Sequence, residues 1–210
     1  MKNPGQKAFL VRTTIQFAAV LITAVIFASC TTKDHKQTGP DVEAIIPDSV
    51  YVKAGNQLVA KTFDTLRSSL LTAIKAKGFA DAISFCNENA YPITDIYADS
   101  VKIRRTSLRY RNSNNQPDSL ELSVLTVMEE EMKSIKKTDT RLVRNSATGE
   151  IHFFKPIMLQ PLCLNCHGTA DKQIQPETLA RIQELYPTDQ AVNFHEGDLR
   201  GVWHIIFAKK

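Results

Sequence analysis

Thr140-Arg141-Leu142-Val143-Arg144 and Ile151-His152-Phe153-Phe154-Lys155-Pro156-Ile157-Met158-Leu159 are two apolar, aromatic and β-branched runs separated by a polar stretch containing Gly149. Such residues fit a pleated, half-buried surface, and a glycine between the runs supplies the turn, so the pair reads as an antiparallel hairpin. Working outward, residues 201–208 carry Val202, Trp203, Ile205 and Phe207 and read as another strand. Residues 102–110 alternate charged with apolar or small side chains and read as a strand that runs into the polar loop 111–116. Strands drawn from the middle and the end of one chain predict a mainly antiparallel sheet with helices packed over one side, an α+β fold.

The helices have their own period. Over residues 48–77, Val52, Val59, Phe63, Leu66, Leu70 and Ile74 recur at steps of three, four and seven, the apolar stripe of a long amphipathic helix. Gly78 is expected to stop it, and a short second helix over 79–89 gathers Ala82, Ile83, Phe85 and Cys86 before Pro92 interrupts. Pro117 and Asp118, with Glu121 three residues on, form a capping box for a helix through residue 136 whose apolar positions include Leu122, Leu125, Met128, Met132 and Ile135. Pro176 and Glu177 open a last helix reaching about Tyr186.

With 210 residues, 43% hydrophobic and 23% charged, the chain has enough apolar material for one domain with a core. Of the formal net charge of +4, Lys2, Lys7 and Arg12 supply three in an N-terminal stretch without acids, leaving a nearly neutral remainder with no nucleic-acid footprint. That stretch has the parts of a secretory signal: a cationic start, an apolar run over 17–27, and small residues before Cys30. Ile26-Phe27-Ala28-Ser29-Cys30 resembles a bacterial lipobox, with Phe27 where Leu is usual, so Cys30 is expected to be acylated and to tether the protein to a membrane. A plain signal peptide cut near Ser29, or an uncleaved anchor, exports the domain equally. The expected organisation is a signal peptide over 1–29, a lipid anchor and polar tether over 30–47, and a folded domain over 48–210 in the periplasm or another extracytoplasmic space.

An exported chain with four cysteines would ordinarily suggest two disulfides. Cys163-Leu164-Asn165-Cys166-His167 argues otherwise, because CxxCH is the attachment pattern of haem c: two thiols add to the porphyrin vinyl groups and the adjacent imidazole binds iron. The rivals are a thioredoxin-like redox pair and half of a zinc site; the first lacks its layout and the second its partner pair. One motif implies one covalent haem, with Cys163 and Cys166 attached and His167 axial. Cys86 is then a thiol without a partner, either a small buried hydrophobe or an iron ligand opposite His167.

Ala82-Ile83-Ser84-Phe85-Cys86, Arg104-Arg105-Thr106-Ser107 with Arg109, Arg111-Asn112, Asn115 and Pro117-Asp118, Pro156-Ile157 before the CxxCH-Gly168, Tyr186-Pro187, and Gly197-Asp198-Leu199-Arg200-Gly201 stand in order along the chain. Together they resemble the single-haem c domain family of PAS-like fold that was long a domain of unknown function. The resemblance covers residue 48 to the C-terminus. It implies a PAS-like antiparallel sheet flanked by helices, and His/Cys ligation with the cysteine at Cys86. Met158 is the alternative second ligand; His152, His195 and His204 are weaker candidates. A thiolate on iron lowers the potential relative to a thioether.

If Arg105, Arg109 and Arg111 share one strand face by the period of two, they can reach haem propionates, and Arg200 is an equal alternative. Two classes of function follow: a redox or small-ligand sensor in which Cys86 stays or leaves, and a tethered electron carrier whose ligands both remain. No output module is read in the sequence, so a signal would pass to another redox or signalling protein. Catalysis needs an open iron site and a positioned acid or base, and neither is specified; the expectation is a haem-binding protein and not an enzyme.

Overall fold

The computed structural model describes residues 46–95 and 101–208. The expected signal peptide, Cys30 and all of the tether but its last two residues lie outside the described residues. Along the chain come α1 (Asp48–Thr94), β1 (Lys102–Thr106), a 3-10 turn (Ser113–Asn115), α2 (Ser119–Ile135), β2 (Arg141–Arg144) and β3 (Ile151–Met158). A second 3-10 turn (Pro161–Cys163) leads into the one-turn helix α3 (Leu164–His167), followed by α4 (Pro176–Leu185) and β4 (Leu199–Phe207). Among the described residues, no helix is long and apolar enough to cross a membrane.

The four strands form one antiparallel sheet in the order β1-β4-β3-β2. The hairpin closes as expected: Asn145 N donates to Glu150 O at 3.0 Å and Gly149, at φ 76°, turns the chain. β4 lies between β1 and β3, with Ile205 opposite both Ile103 and Phe153. Side chains alternate between faces. Ile103, Phe153, Trp203 and Ile205 pack with Val59 of α1 on one face, whereas Phe154 and Val202 pack with Val124, Leu125 and Met128 of α2 on the other. The expectation of helices on one side is therefore corrected: both faces are covered, which is why Ile151 to Phe154 are buried in an unbroken run. Each large apolar side chain so buried contributes about 2 kcal/mol. Close approach of α1 depends on Gly55, where an added Cβ would lie 2.6 Å from the Phe153 ring.

α2 starts as read. Asp118 accepts from Glu121 N at 2.8 Å and Glu121 Oε2 from Asp118 N at 3.0 Å, the reciprocal capping box. Two boundaries differ. Gly78 breaks α1 as expected, its non-helical backbone (φ 85°, ψ −176°) dividing two helical segments, but the second segment runs past residue 89 and carries Pro92 in its last turn, two residues before its end. β1 stops at Thr106, short of residue 110. There Ser107 Oγ donates to Arg200 O at 2.6 Å and accepts from Arg109 N at 3.1 Å, pulling the chain out of the sheet. Gly201 makes that crossing fit: at φ 155° a side chain is strained, and its Cβ would collide with Thr106 O.

Candidate haem site

The CxxCH segment is a tight double turn. Pro161 opens the 3-10 turn, Cys163 N donates to Gln160 O at 2.9 Å, and α3 ends when Gly168 N bonds Leu164 O at 2.9 Å. In one helical turn, positions i, i+3 and i+4 share a face, so Cys163, Cys166 and His167 come to the same side. All three line a cavity of about 300 Å³. The loop behind them is fastened by Phe194 N to His167 O at 3.0 Å and Asn193 N to Gly168 O at 2.8 Å. Gly168 has no room for a side chain, since a Cβ would sit 2.5 Å from Gln173 Oε1.

His167 Nδ1 lies 2.8 Å from Ala191 O. A carbonyl only accepts, so Nδ1 carries the hydrogen and Nε2 is left as a lone pair. Burial, with the nearby Arg200 and Arg111 cations, holds the imidazole well below the usual histidine range and therefore neutral. This is the state a metal-binding imidazole needs, with its orientation fixed by the second nitrogen.

Cys86, on the part of α1 beyond the Gly78 kink, lines the same cavity. Burial pushes its thiol up, while Arg105 and Arg111 pull the other way; burial likewise raises Cys166 to about 11. Both are thiols, not free thiolates, until something electropositive arrives. Cys86, Cys163 and Cys166 form no disulfide. Among the described residues, no set of three or more His, Cys, Asp or Glu could hold a metal ion by itself, so a closed zinc site is not what the cysteines build.

Among the described residues, the cavity wall carries Arg67, Arg105, Arg111 and Arg200 and no carboxylate. Arg111 is neutralised from behind by Asp189 at 3.1 Å and donates to Cys166 O at 2.6 Å. Arg105 has no ion pair or hydrogen bond among the described residues, only the Trp203 ring 5.7 Å away. Burial lowers it, and burial together with Arg111 pulls Arg200 down to about 9. Those shifts measure crowded, desolvated cations that an anion in the cavity would relieve. An apolar wall, two thiols, an imidazole lone pair, a third thiol and excess positive charge fit a haem with its two propionates.

Arg109 is the correction among the arginines. β1 ends before it, so Arg105, Arg109 and Arg111 do not share a strand face. Arg109 stacks 3.8 Å over Phe194 and donates to Gln190 O and Val192 O, clamping the loop behind His167 and not lining the cavity. Met158 lines an adjoining cavity of about 220 Å³, which Arg105, Arg200 and His167 also border but Cys86 does not. His152 and His204 sit on the opposite face of the sheet, and His195 is exposed beside Asp198. Sequence reasoning placed Phe63, Leu66, Leu70 and Ile74 on the apolar stripe of a helix; none is buried, and all four line the cavity. Tyr91, Tyr186 and Trp203 also line it without having been singled out as site residues. A stripe that fills a core and one that faces a ligand have the same period, so only the missing burial separates them.

Fold and site together define an α+β domain built around a cofactor-sized, thiol-bearing, cationic cavity. The model of the Tll0287-like family matches residues 35–208, and the chain belongs to that family. A similar solved structure is that of the cyanobacterial heme-protein Tll0287: 24% identity, TM-score 0.52, covering 79% of this chain and 98% of that one, a likeness of fold. Among curated proteins none matches.

Proposed function

We propose that the protein is an exported, membrane-tethered monohaem c-type cytochrome that senses redox state or a small ligand. The observation that carries this reading is that Cys86 and the CxxCH residues Cys163, Cys166 and His167 line one cavity whose wall, among the described residues, holds four arginines and no acid. A bound haem would supply one-electron redox chemistry. Cys163 and Cys166 would hold the ring by thioether bonds, His167 would present Nε2, and Cys86 would present its sulfur from α1. Arg105, Arg111 and Arg200 would receive the propionates. Family membership and the heme-protein relative support haem binding.

Sensing, as against electron carriage, is supported by the hinge. Cys86 is carried by the segment of α1 that follows Gly78, whose backbone has φ 85° and open space around its Cα. Loss of the Cys86 ligand would free that segment to swing relative to the rest of α1, the two-state element a switch requires. A second reading, a tethered electron carrier, is favoured by the cavity rim, where Phe63 and Leu162 are 40% and 38% exposed, because transfer needs an accessible ring edge.

Absorption spectra of ferric and dithionite-reduced protein, with and without CO, separate the readings. Low-spin ferric iron with a thiolate charge-transfer band, followed by CO binding on reduction, supports His167/Cys86 ligation and sensing, and Cys86→Ala should then shift the ferric Soret band and the spin state. A CO-inert reduced form with a thioether-type band would point to Met158 and a carrier. For the tether, acyl labelling of the wild type that disappears in Cys30→Ser supports lipidation and a periplasmic or other extracytoplasmic site.

A further inference from the structure

Between α2 and the sheet, on the face away from the cavity, lies a row of buried titratable groups. Glu121, His204 and His152 are 0%, 1% and 7% exposed. Glu121 Oε1 is 2.7 Å from His204 Nδ1, and His204 Nε2 is 2.9 Å from His152 Nδ1. The ends decide the hydrogens. A carboxylate only accepts, so His204 donates from Nδ1; its Nε2 then accepts, and His152 must donate from Nδ1. What remains is a lone pair on His152 Nε2, buried and without a hydrogen-bond partner. It lies 3.8 Å from Glu150 Oε2, which Thr148 Oγ1 holds at 2.8 Å.

A lone pair beside a carboxylate is repulsive. One proton at Nε2 turns the contact into an ion pair, and its charge can pass along the row toward Glu121 without any heavy atom moving. Among the described residues, Glu121 of α2, the α2 cap Asp118, Glu150 just before β3 and one cation, Arg104 from β1, stand around the two imidazoles; β2 sets Val143 opposite His152. The three acids favour the added proton, while burial and the charge of the second imidazole oppose it. Glu150, with its side chain 38% exposed, is the door to solvent.

The other end of the row reaches the cavity wall. Arg104 Nε is 3.0 Å from Glu121 Oε1, and its NH2 group donates to Gln116 O at 3.3 Å. The adjacent Asn115 accepts the Tyr91 hydroxyl at 2.9 Å, and both line the cavity. We propose that Glu150, His152, His204 and Glu121 form a site that binds one proton from solvent, and that Arg104 transmits its occupancy to Asn115 and Tyr91. None of the four residues lines the cavity, so the site is present whichever group fills it.

Histidine ring-nitrogen NMR on the purified full-length protein, titrated from pH 8 to 4, tests both halves. His152 and His204 should change together at one midpoint, and Glu150→Gln, a change at a partly exposed side chain, should weaken proton affinity about three- to tenfold. The Asn115 amide should report the same midpoint and move with it in the variant. Independent titration of the two histidines, or a midpoint unmoved by Glu150→Gln, overturns the site. An Asn115 amide that ignores the midpoint overturns the transmission.

Discussion

On β1, Arg104 and Arg105 point to opposite faces of the sheet, and on β4 His204 and Trp203 do the same. On the α2 face Arg104 meets Glu121 and Glu121 meets His204, so the cation finds its counter-charge within the fold. On the α1 face Arg105 has, among the described residues, only the Trp203 ring, beside a cavity with three more arginines and no acid. Neighbouring residues of the same strands thus build one self-sufficient polar layer and one that is incomplete without something from outside. The incomplete face is where a ligand belongs, because a domain that folds does not otherwise leave buried cations uncompensated.

The largest effect expected on the incomplete face comes from removing the proposed covalent anchors. Cys163→Ser with Cys166→Ser should abolish covalent haem entirely, read as loss of the haem-stained band on a denaturing gel while the polypeptide remains; a retained band would break the assignment. On the complete face, Glu121→Ala strips the shared partner from Arg104 and His204. Unfolding by urea should show a loss of about 3 kcal/mol, as for other buried pairs cut on one side, and an unchanged midpoint would mean the layer is not balanced as described.

The sequence made the complete face hard to see and the incomplete one easier. CxxCH is a local pattern whose spacing is itself the chemistry, so Cys163, Cys166 and His167 could be read without a fold. The sheet was legible because Val202, Trp203, Ile205 and the hairpin residues announce strands by type, and Asp118 with Glu121 announces a helix start. Arg109 failed because a period of two holds only while a strand lasts, and Ser107 ends β1 through a bond to Arg200, ninety-three residues away. Helices on both faces went unread because burial on the second face depends on where α2 lands. The Glu121–His204–His152 row joins three elements, and in the sequence its members looked like a cap and two lone histidines. Cys86 stands between these cases: its lack of a partner was visible in the residues, its place at the site only through the family resemblance.

The contrast between the two arginines can be sharpened by making the same change at both. Arg104→Leu leaves Glu121 short of a partner and should lower the stability of the haem-free chain by about 1 kcal/mol. Arg105→Leu removes an uncompensated cation and should leave that chain as stable as before or slightly more so. With haem loaded, Arg105→Leu should instead increase haem exposure and destabilise the protein, through loss of a propionate partner. Equal losses from both substitutions in the haem-free chain would erase the distinction between the faces.

The smallest expected effect is on acid stability. Burial, with His204, holds His152 below its ordinary 6.5 in the folded chain, so the unfolded chain binds more protons once the pH drops near 6.5. Glu121 is also held low, but against burial, by hydrogen bonds from His204 and the Asp118 amide and by Arg104; the unfolded chain binds the additional proton below about 4.5. Both signs agree: stability should decline gently from about pH 6.5 and more steeply below 4.5. In the haem-free chain His167 acts in the same direction, so the wild-type slope alone does not belong to one face. The difference between wild type and His152→Gln does, because an amide side chain at that position has nothing to titrate and leaves the cavity untouched. Urea midpoints at pH 7.5 and 5.5 should therefore differ less in His152→Gln than in the wild type, and identical differences would assign the whole decline to the cavity side.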